Sequence, residues 1–439
     1  LEGSVQYHIP VVLKLQGKLD KEALSAAMQQ IVERHEVLRT VFYEQDGEAR
    51  QVVQENTAPV MQLVDGSKFL EDRQGLENYI KQLIRTPFNL SEDAMLRAHL
   101  MEMGEDEYLL VVTLHHIASD GWSRSILVGE LAELYAAARE QRDPGFKPLA
   151  VQYADFAIWQ RGYLKGDILD KKLDYWKNKL TGASPLDLPT DYVRPAVQGT
   201  RGAVMSFNID SDLHESLQQL SHKHGATLYM TLLSAFNVLL HRYSGQEDIC
   251  VGTPIAGRQQ QELEALIGFF VNTLAMRSHV DSELPFTELL QQVKATTMEG
   301  YANQEIPFEK VVEAVVKDRD MSRNPLFQVM FILRNTPDVP ELRLGDIALS
   351  RTGYEHSTSL FDFSLFITET ERGLHAAIEY STDLFTRATM ERMAGHFTRL
   401  LSSVVRTPEE KVGRLGLLTA TEEETLVSGF NTTTTLYPR

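Results

Sequence analysis

The run "EYLLVVTLHH", residues 107–116, is apolar or β-branched almost throughout and ends on two adjacent histidines. A strand that alternates polar and apolar residues covers one face of a core, whereas a continuous apolar run needs cover on both faces. From Trp122 onward, Trp122, Ile126, Leu127, Leu131 and Leu134 recur at helical spacing, so "HHIASDG" is a strand-to-helix connection. A chain with this segment at its centre is constrained to layers of sheet and helix, an α/β (α+β) arrangement of two-layer sandwiches, with the loop at the end of a central strand.

At 439 residues the chain is too long for one ordinary core. Its two halves read as distant copies. In the first, "HIPVVLKLQ" is strand-like, Asp20 is a candidate N-cap, and Leu24, Met28, Ile31, His35 and Leu38 line one face of a helix before a strand at residues 40–43. In the second, "AVMSFNID" is strand-like, Ser211 or Asp212 is the candidate cap, and two helices follow with a break at Gly225. These patterns divide the chain into an N-terminal lobe at 1–180, a polar linker rich in Gly and Pro at 181–202, a C-terminal lobe at 203–415, and a connection toward a further domain at 416–439.

Composition removes several function classes. With 61 acidic against 43 basic residues the formal charge is −18, which repels phosphate backbones and anionic membrane surfaces, so neither nucleic acid nor membrane is expected as a partner. No apolar run approaches the ~20 residues of a spanning helix, and the N-terminus lacks a basic-then-apolar signal, so a soluble, unexported chain is expected. The single Cys250 excludes an intrachain disulfide, and no CxxC or HExxH spacing marks a metal site. A phosphate-binding P-loop and a GxGxxG after a strand are also missing, leaving no visible nucleotide cradle.

The chemistry-bearing residues gather in the loop. Successive side chains of a strand point to opposite faces, so His115 and His116 cannot share one space: one belongs to the interior and the other is free for chemistry. A lone histidine at a strand end is ordinarily a satisfied core or loop residue. Here His, Asp and Gly precede a helix N-terminus, whose backbone N–H groups can receive a developing oxyanion, and an imidazole with an ordinary pKa of ~6.5 can take a proton near neutral pH. That combination suits acyl transfer.

"HHIASDG" resembles the HHxxxDG motif of condensation domains of nonribosomal peptide synthetases. Further signatures of that family follow its order: "RHEVLRTVF" (34–42), "YADFAIW" (153–159), "IGFFVNTLAMR" (267–277), "NQEIPFE" (303–309) and "RDMSRNPL" (319–326). The family's first motif, an Ala-Gln-x-Arg-rich helix ahead of the first strand, is not found, which leaves the completeness of the N-terminal lobe open.

The resemblance implies two chloramphenicol-acetyltransferase-like lobes in a V-shaped pseudodimer with a tunnel at their junction. It implies a bacterial cytoplasmic acyltransferase of secondary metabolism, making an antibiotic or siderophore peptide. An upstream donor carrier protein would present an aminoacyl or peptidyl thioester, and a downstream acceptor carrier the α-amine that attacks it. Both substrates would ride on 4'-phosphopantetheine arms, no cofactor would be bound intrinsically, and an adenylation domain would adjoin in the same chain. On this basis His116 faces the tunnel and orients the amine or takes its proton, His115 is its structural neighbour in the motif, and the Gly121 N–H contacts the oxyanion. Asp120 completes a structural ion pair with Arg258 of "VGTPIAGR" or, as runner-up, with Arg39. Ser119, Trp122, Ser357 and Ser359 line the tunnel; Ser119 and Ser123 also serve as caps, and Cys250 is a small buried hydrophobe. "HHIASDGWS" looks more like the subtype joining two L-configured residues. The alternatives are an epimerisation-type relative and a non-catalytic recruitment domain of the same fold, which usually loses the histidine motif.

Overall fold

The strand Glu107–His115 sits in the middle of a five-stranded sheet, buried from Leu109 to His115, as its uninterrupted apolar sequence requires. The computed structural model describes residues 2–55, 58–317, 320–334, 343–351 and 358–429. Ser357, Arg319 and the last ten residues of the expected connection, 430–439, lie outside them. The chain forms two compact units that are not consecutive stretches. The first comprises Leu1–Ile168, Ala256–Val271 and Thr336–Tyr354; the second comprises Leu169–Ile255, Asn272–Asn335 and Glu355–Arg439.

In the first unit, β1 (His8–Gln16), β2 (Thr40–Gln45) and β3 (Glu48–Val53) are followed by β4 (Met61–Asp65), β5 (Leu96–Gly104) and β6 (Glu107–His115). β2 and β3 form a separate hairpin. β6 lies between β1 and β5, antiparallel to both; β4 joins β5 in parallel, and β11 (Ala348–Arg351) closes the other edge against β1. Helices α1 (Lys21–Arg34), α2 (Arg73–Arg85) and α3 (Ser123–Glu140) supply the cover. Leu110, Val112 and Leu114 enter one core with Leu24, Met28 and Ile31 of α1 and Leu131 and Leu134 of α3. Leu109 and Val111 point the other way, into a second cluster that holds Ile84 of α2. Alternation along one strand thus feeds both layers. Asp20 caps α1, its carboxylate accepting from Ala23 N at 2.9 Å. The short helix α4 (Tyr153–Tyr163) completes the set.

The second unit, with α5 (Gly166–Leu180) running into it, is built on a six-stranded sheet of β7 (Gly202–Ile209), β8 (Asp248–Ile255), β9 (Asn272–His279), β10 (Val329–Arg334), β12 (Phe363–Thr370) and β13 (Gly373–Ser381). Its order is β7-β13-β12-β10-β8-β9, with parallel pairing at β12–β10 and β10–β8. The helix beginning at Ser211 is capped one residue earlier than the sequence suggested: the Asp210 carboxylate accepts from Leu213 N at 2.8 Å, the reach a cap makes to the third helical residue. The next helix begins after Thr227 and is buried continuously from Met230 to His241. The segment 181–202 has no long element but is anchored: Leu186 and Leu188 are buried, and Arg194 grips Asp362 through both carboxylate oxygens. Among the described residues no helix is long and apolar enough to cross a membrane.

Cys250 lies in β8 with 4% of its surface exposed, and burial pushes its thiol up to about 12. With so little thiolate at pH 8, iodoacetamide should leave Cys250 unmodified in the native protein and alkylate it fully in denaturant. Rapid native labelling at the Cys250 peptide would contradict that burial.

Candidate active site

The two histidines part at the end of β6. His115 is still on the strand, opposite His8 in the β1 register, and its side chain goes to the face that α2 covers. There its ring stands 5.6 Å from Phe88, 5.9 Å from His8 and 6.2 Å from Tyr7, and its Nδ1 accepts the Ile117 N–H at 3.1 Å. Burial pushes its pKa down to about 4, and the neighbouring His8 and His116 add to the same direction, so it is neutral at physiological pH. His116 has left the ladder in a single turn, His116–Ala118, and is only half-buried. Its Nδ1 lies 2.7 Å from the Ser119 carbonyl. A carbonyl only accepts, so Nδ1 carries a proton, and in the neutral ring the lone pair is on Nε2. Phe269 stands at right angles to the imidazole, with centroids 5.1 Å apart.

Asp120 locks the loop. One carboxylate oxygen accepts the Ser123 N–H at 2.9 Å and the Ser123 hydroxyl at 2.7 Å; the other accepts the Phe270 N–H at 3.1 Å. Arg258 bridges both oxygens at 3.1 and 3.3 Å, and its other terminal nitrogen donates to the carbonyls of Leu263 and Leu266 at 2.5 and 2.7 Å. The two side chains are 3% and 1% exposed, so the pair is desolvated and its hydrogen bonds are what make that burial tolerable. The guanidinium also stacks 4.1 Å from the Phe270 ring centre. Gly257 lets the arginine arrive here: its φ is +66°, and a Cβ there would fall 1.9 Å from the Phe270 carbonyl oxygen.

The remaining expected residues divide. Ser119 is buried and contributes the carbonyl that orients His116. Trp122 donates its indole N–H to the Glu264 carbonyl at 3.0 Å. Gly121 is exposed, and a Cβ there would meet nothing within 4 Å, so no protein contact demands a glycine. Arg39 is not brought to Asp120; it donates to the Gln54 carbonyl at 2.5 Å and pairs with Glu36. Ser359 belongs to the second unit, is buried, and donates to the Phe361 carbonyl at 2.9 Å.

Sequence reasoning assigned no role to His35, Glu130, Tyr153 or Phe269. His35 accepts the Ile267 N–H at Nδ1 (3.3 Å) and donates from Nε2 to Glu130 at 2.9 Å, and Arg34 completes the cluster at the other Glu130 oxygen. The only signal for His35, Tyr153 and Phe269 was their place inside the quoted signature stretches, and Glu130 lies outside them; helical periodicity made His35 merely one residue of an apolar face. Among the described residues no group of three or more His, Cys, Asp or Glu is placed to hold a metal ion.

A family model described as the condensation domain matches residues 1–427. The chain is 43% identical over its whole length to a linear gramicidin synthase of Brevibacillus parabrevis, and 38% identical over 98% of its length to a plipastatin synthase of Bacillus subtilis. It spans only 9% and 16% of those proteins. Among solved structures it is similar to the X-domain from teicoplanin biosynthesis, with a TM-score of 0.84, 28% identity and coverage of 94% and 93% of the two chains. It is also similar to a four-domain nonribosomal peptide synthetase bound to AMP and glycine, with a TM-score of 0.83, 25% identity and coverage of 96% of this chain and 33% of that one.

The His115 environment has a pH signature. Its folded pKa lies below the ordinary 6.5, so between those values the unfolded chain binds the extra proton, and stability present above pH 6.5 is lost as pH falls toward 4. Urea unfolding at pH 7.5 and 4.5 should show wild type losing about 2 kcal/mol more than His115→Gln over that interval. Equal losses would contradict a neutral, desolvated His115.

Proposed function

The chain belongs to the condensation-domain family, and on that premise we propose that it is an acyltransferase forming a peptide bond between a donor thioester and the α-amine of an acceptor aminoacyl thioester, each delivered by a carrier protein on a 4'-phosphopantetheine arm. The observation that carries this reading is the His116 imidazole, held by the Ser119 carbonyl with its Nε2 lone pair directed away from that bond. The amine attacks the thioester carbonyl, the C–N bond forms, and the C–S bond breaks with release of the donor arm as thiol. The proton lost by the amine passes to His116 Nε2 and then to the departing sulfur. An α-amine has a pKa of ~8, so an appreciable fraction is neutral, and positioning supplies much of the rate.

In this proposal Asp120 and Arg258 hold the loop and transfer no proton, and the Gly121 N–H is the contact offered to the oxyanion. "HHIASDGWS" favours an L-configured donor and acceptor. The relatives are long synthases of which this chain matches a small part, which supports carrier proteins on both sides and an adenylation domain beyond the C-terminal connection. A second reading, a platform that recruits another protein, is favoured by the similarity to the teicoplanin X-domain, solved also in complex with OxyB. The retained HHxxxDG loop favours catalysis.

Mixing the protein with a loaded donor and a loaded acceptor carrier should yield the dipeptidyl acceptor by mass spectrometry. His116→Ala should lower that rate by ~10²- to 10⁴-fold, or less where the imidazole only orients the amine, while Cys250→Ala leaves it nearly intact. An epimerised donor, or no product, would refute the proposal. A stable acyl mass on this chain with donor alone would refute direct transfer.

A further inference from the structure

Ile267, Gly268, Phe269 and Phe270 lie in an irregular stretch between a short 3-10 turn, Gln261–Leu263, and β9, with neither helix nor ladder to hold them. Irregular backbone must find its hydrogen bonds elsewhere. Here each of the four residues takes one from a different side chain of the first unit. The Ile267 N–H donates to His35 Nδ1 at 3.3 Å, the Gly268 N–H to the Ser123 hydroxyl at 3.1 Å, and the Phe270 N–H to Asp120 at 3.1 Å; the Tyr153 hydroxyl donates to the Phe269 carbonyl at 2.8 Å. Burial pushes the Tyr153 phenol up to about 12, so it remains a donor at every working pH. Gly268 is required by closeness, since a Cβ there would lie 2.5 Å from the Tyr153 ring and 2.6 Å from that of Phe270.

Ile267 and Phe270 are buried, but Phe269 between them is 38% exposed. A single exposed aromatic is ordinary. This one is held at its own carbonyl and at both neighbours, and its ring meets the His116 imidazole at 87°. His116 already has one constraint, the bond from Nδ1 to the Ser119 carbonyl, which fixes one ring nitrogen but leaves the ring able to tilt about that bond.

We propose that Ile267–Phe270 is a positioning element for His116 and that Phe269 is its positioning residue: the ring packed against the imidazole supplies the second constraint, fixing the plane in which Nε2 presents its lone pair. The consequence for rate rests on the reading of His116 as the group that meets the amine; the geometric part does not. Phe269→Leu keeps apolar bulk without the ring, Phe269→Ala removes both, and Tyr153→Phe removes only the hydroxyl that holds the Phe269 carbonyl. None of the three alters a group proposed to handle a proton.

The test uses the full chain labelled with ¹⁵N-histidine. Long-range ¹⁵N–¹H spectra, with His116→Gln identifying the resonance, report the tautomer and environment of His116, and condensation kinetics with loaded carriers are measured on the same variants. Wild type should show a single Nδ1–H tautomer. Phe269→Ala should keep the Nδ1–H tautomer but shift and broaden the His116 ring resonances as the ring gains freedom to tilt, with a kcat about 10- to 100-fold lower and KM for the acceptor carrier changed by no more than about 3-fold. Phe269→Leu and Tyr153→Phe should fall between. An unchanged His116 spectrum in folded Phe269→Ala or Phe269→Leu overturns the proposal, as does, with His116→Ala impaired, an altered spectrum with unchanged kcat. Wild-type activity in His116→Ala would instead refute the role of His116, and the spectra would still decide whether Phe269 orients it.

Discussion

A carboxylate out of water has to have its lone pairs answered by donors, and the first unit is arranged around the one at Asp120. Its donors come from the start of α3, three residues on, and from Arg258 and the Phe270 backbone, both more than 130 positions away. Meeting that demand fixes the turn after β6, draws 256–271 into the first unit, and leaves Arg258 a buried charge with its partner already in place. The loop that carries His116 thereby becomes rigid without contributing a regular element of its own.

The two adjacent histidines show how one strand divides structure from chemistry. His115, the last ladder residue, must point into one of the two layers that β6 separates, and there it sits among aromatic rings in its neutral form. His116 is the first residue free of the ladder, so a local carbonyl, not the sheet, decides where its ring lies. The same backbone event that ends the strand therefore separates a packed imidazole from an available one.

Much of this was legible in the sequence because it was local. The apolar run of β6, the helical spacing of Leu24, Met28 and Ile31, and the Asp20 cap depend on periods and offsets within one segment, and the structure repeats them. The cap at Asp210 was misplaced by one residue because three acidic or hydroxyl residues in a row all satisfy the local rule, and only the hydrogen bond to Leu213 selects among them. The companions of the HHxxxDG loop were harder. His35, Glu130, Tyr153 and Phe269 act through backbone atoms or through partners more than 90 positions away, and an N–H looks the same in any sequence. Arg258 came into view only through the resemblance, since nothing in its own segment announces a buried pair.

The claim that most else hangs on is that Asp120 and Arg258 are energetically one unit, and a double-mutant cycle by urea unfolding measures it directly. With Asp120→Asn, Arg258→Met and the double variant, each single change should cost ~3 to 5 kcal/mol by leaving a buried partner uncompensated, and the double should fall short of their sum by about 2 kcal/mol or more. Additive losses would mean that the two side chains stand together without holding the loop.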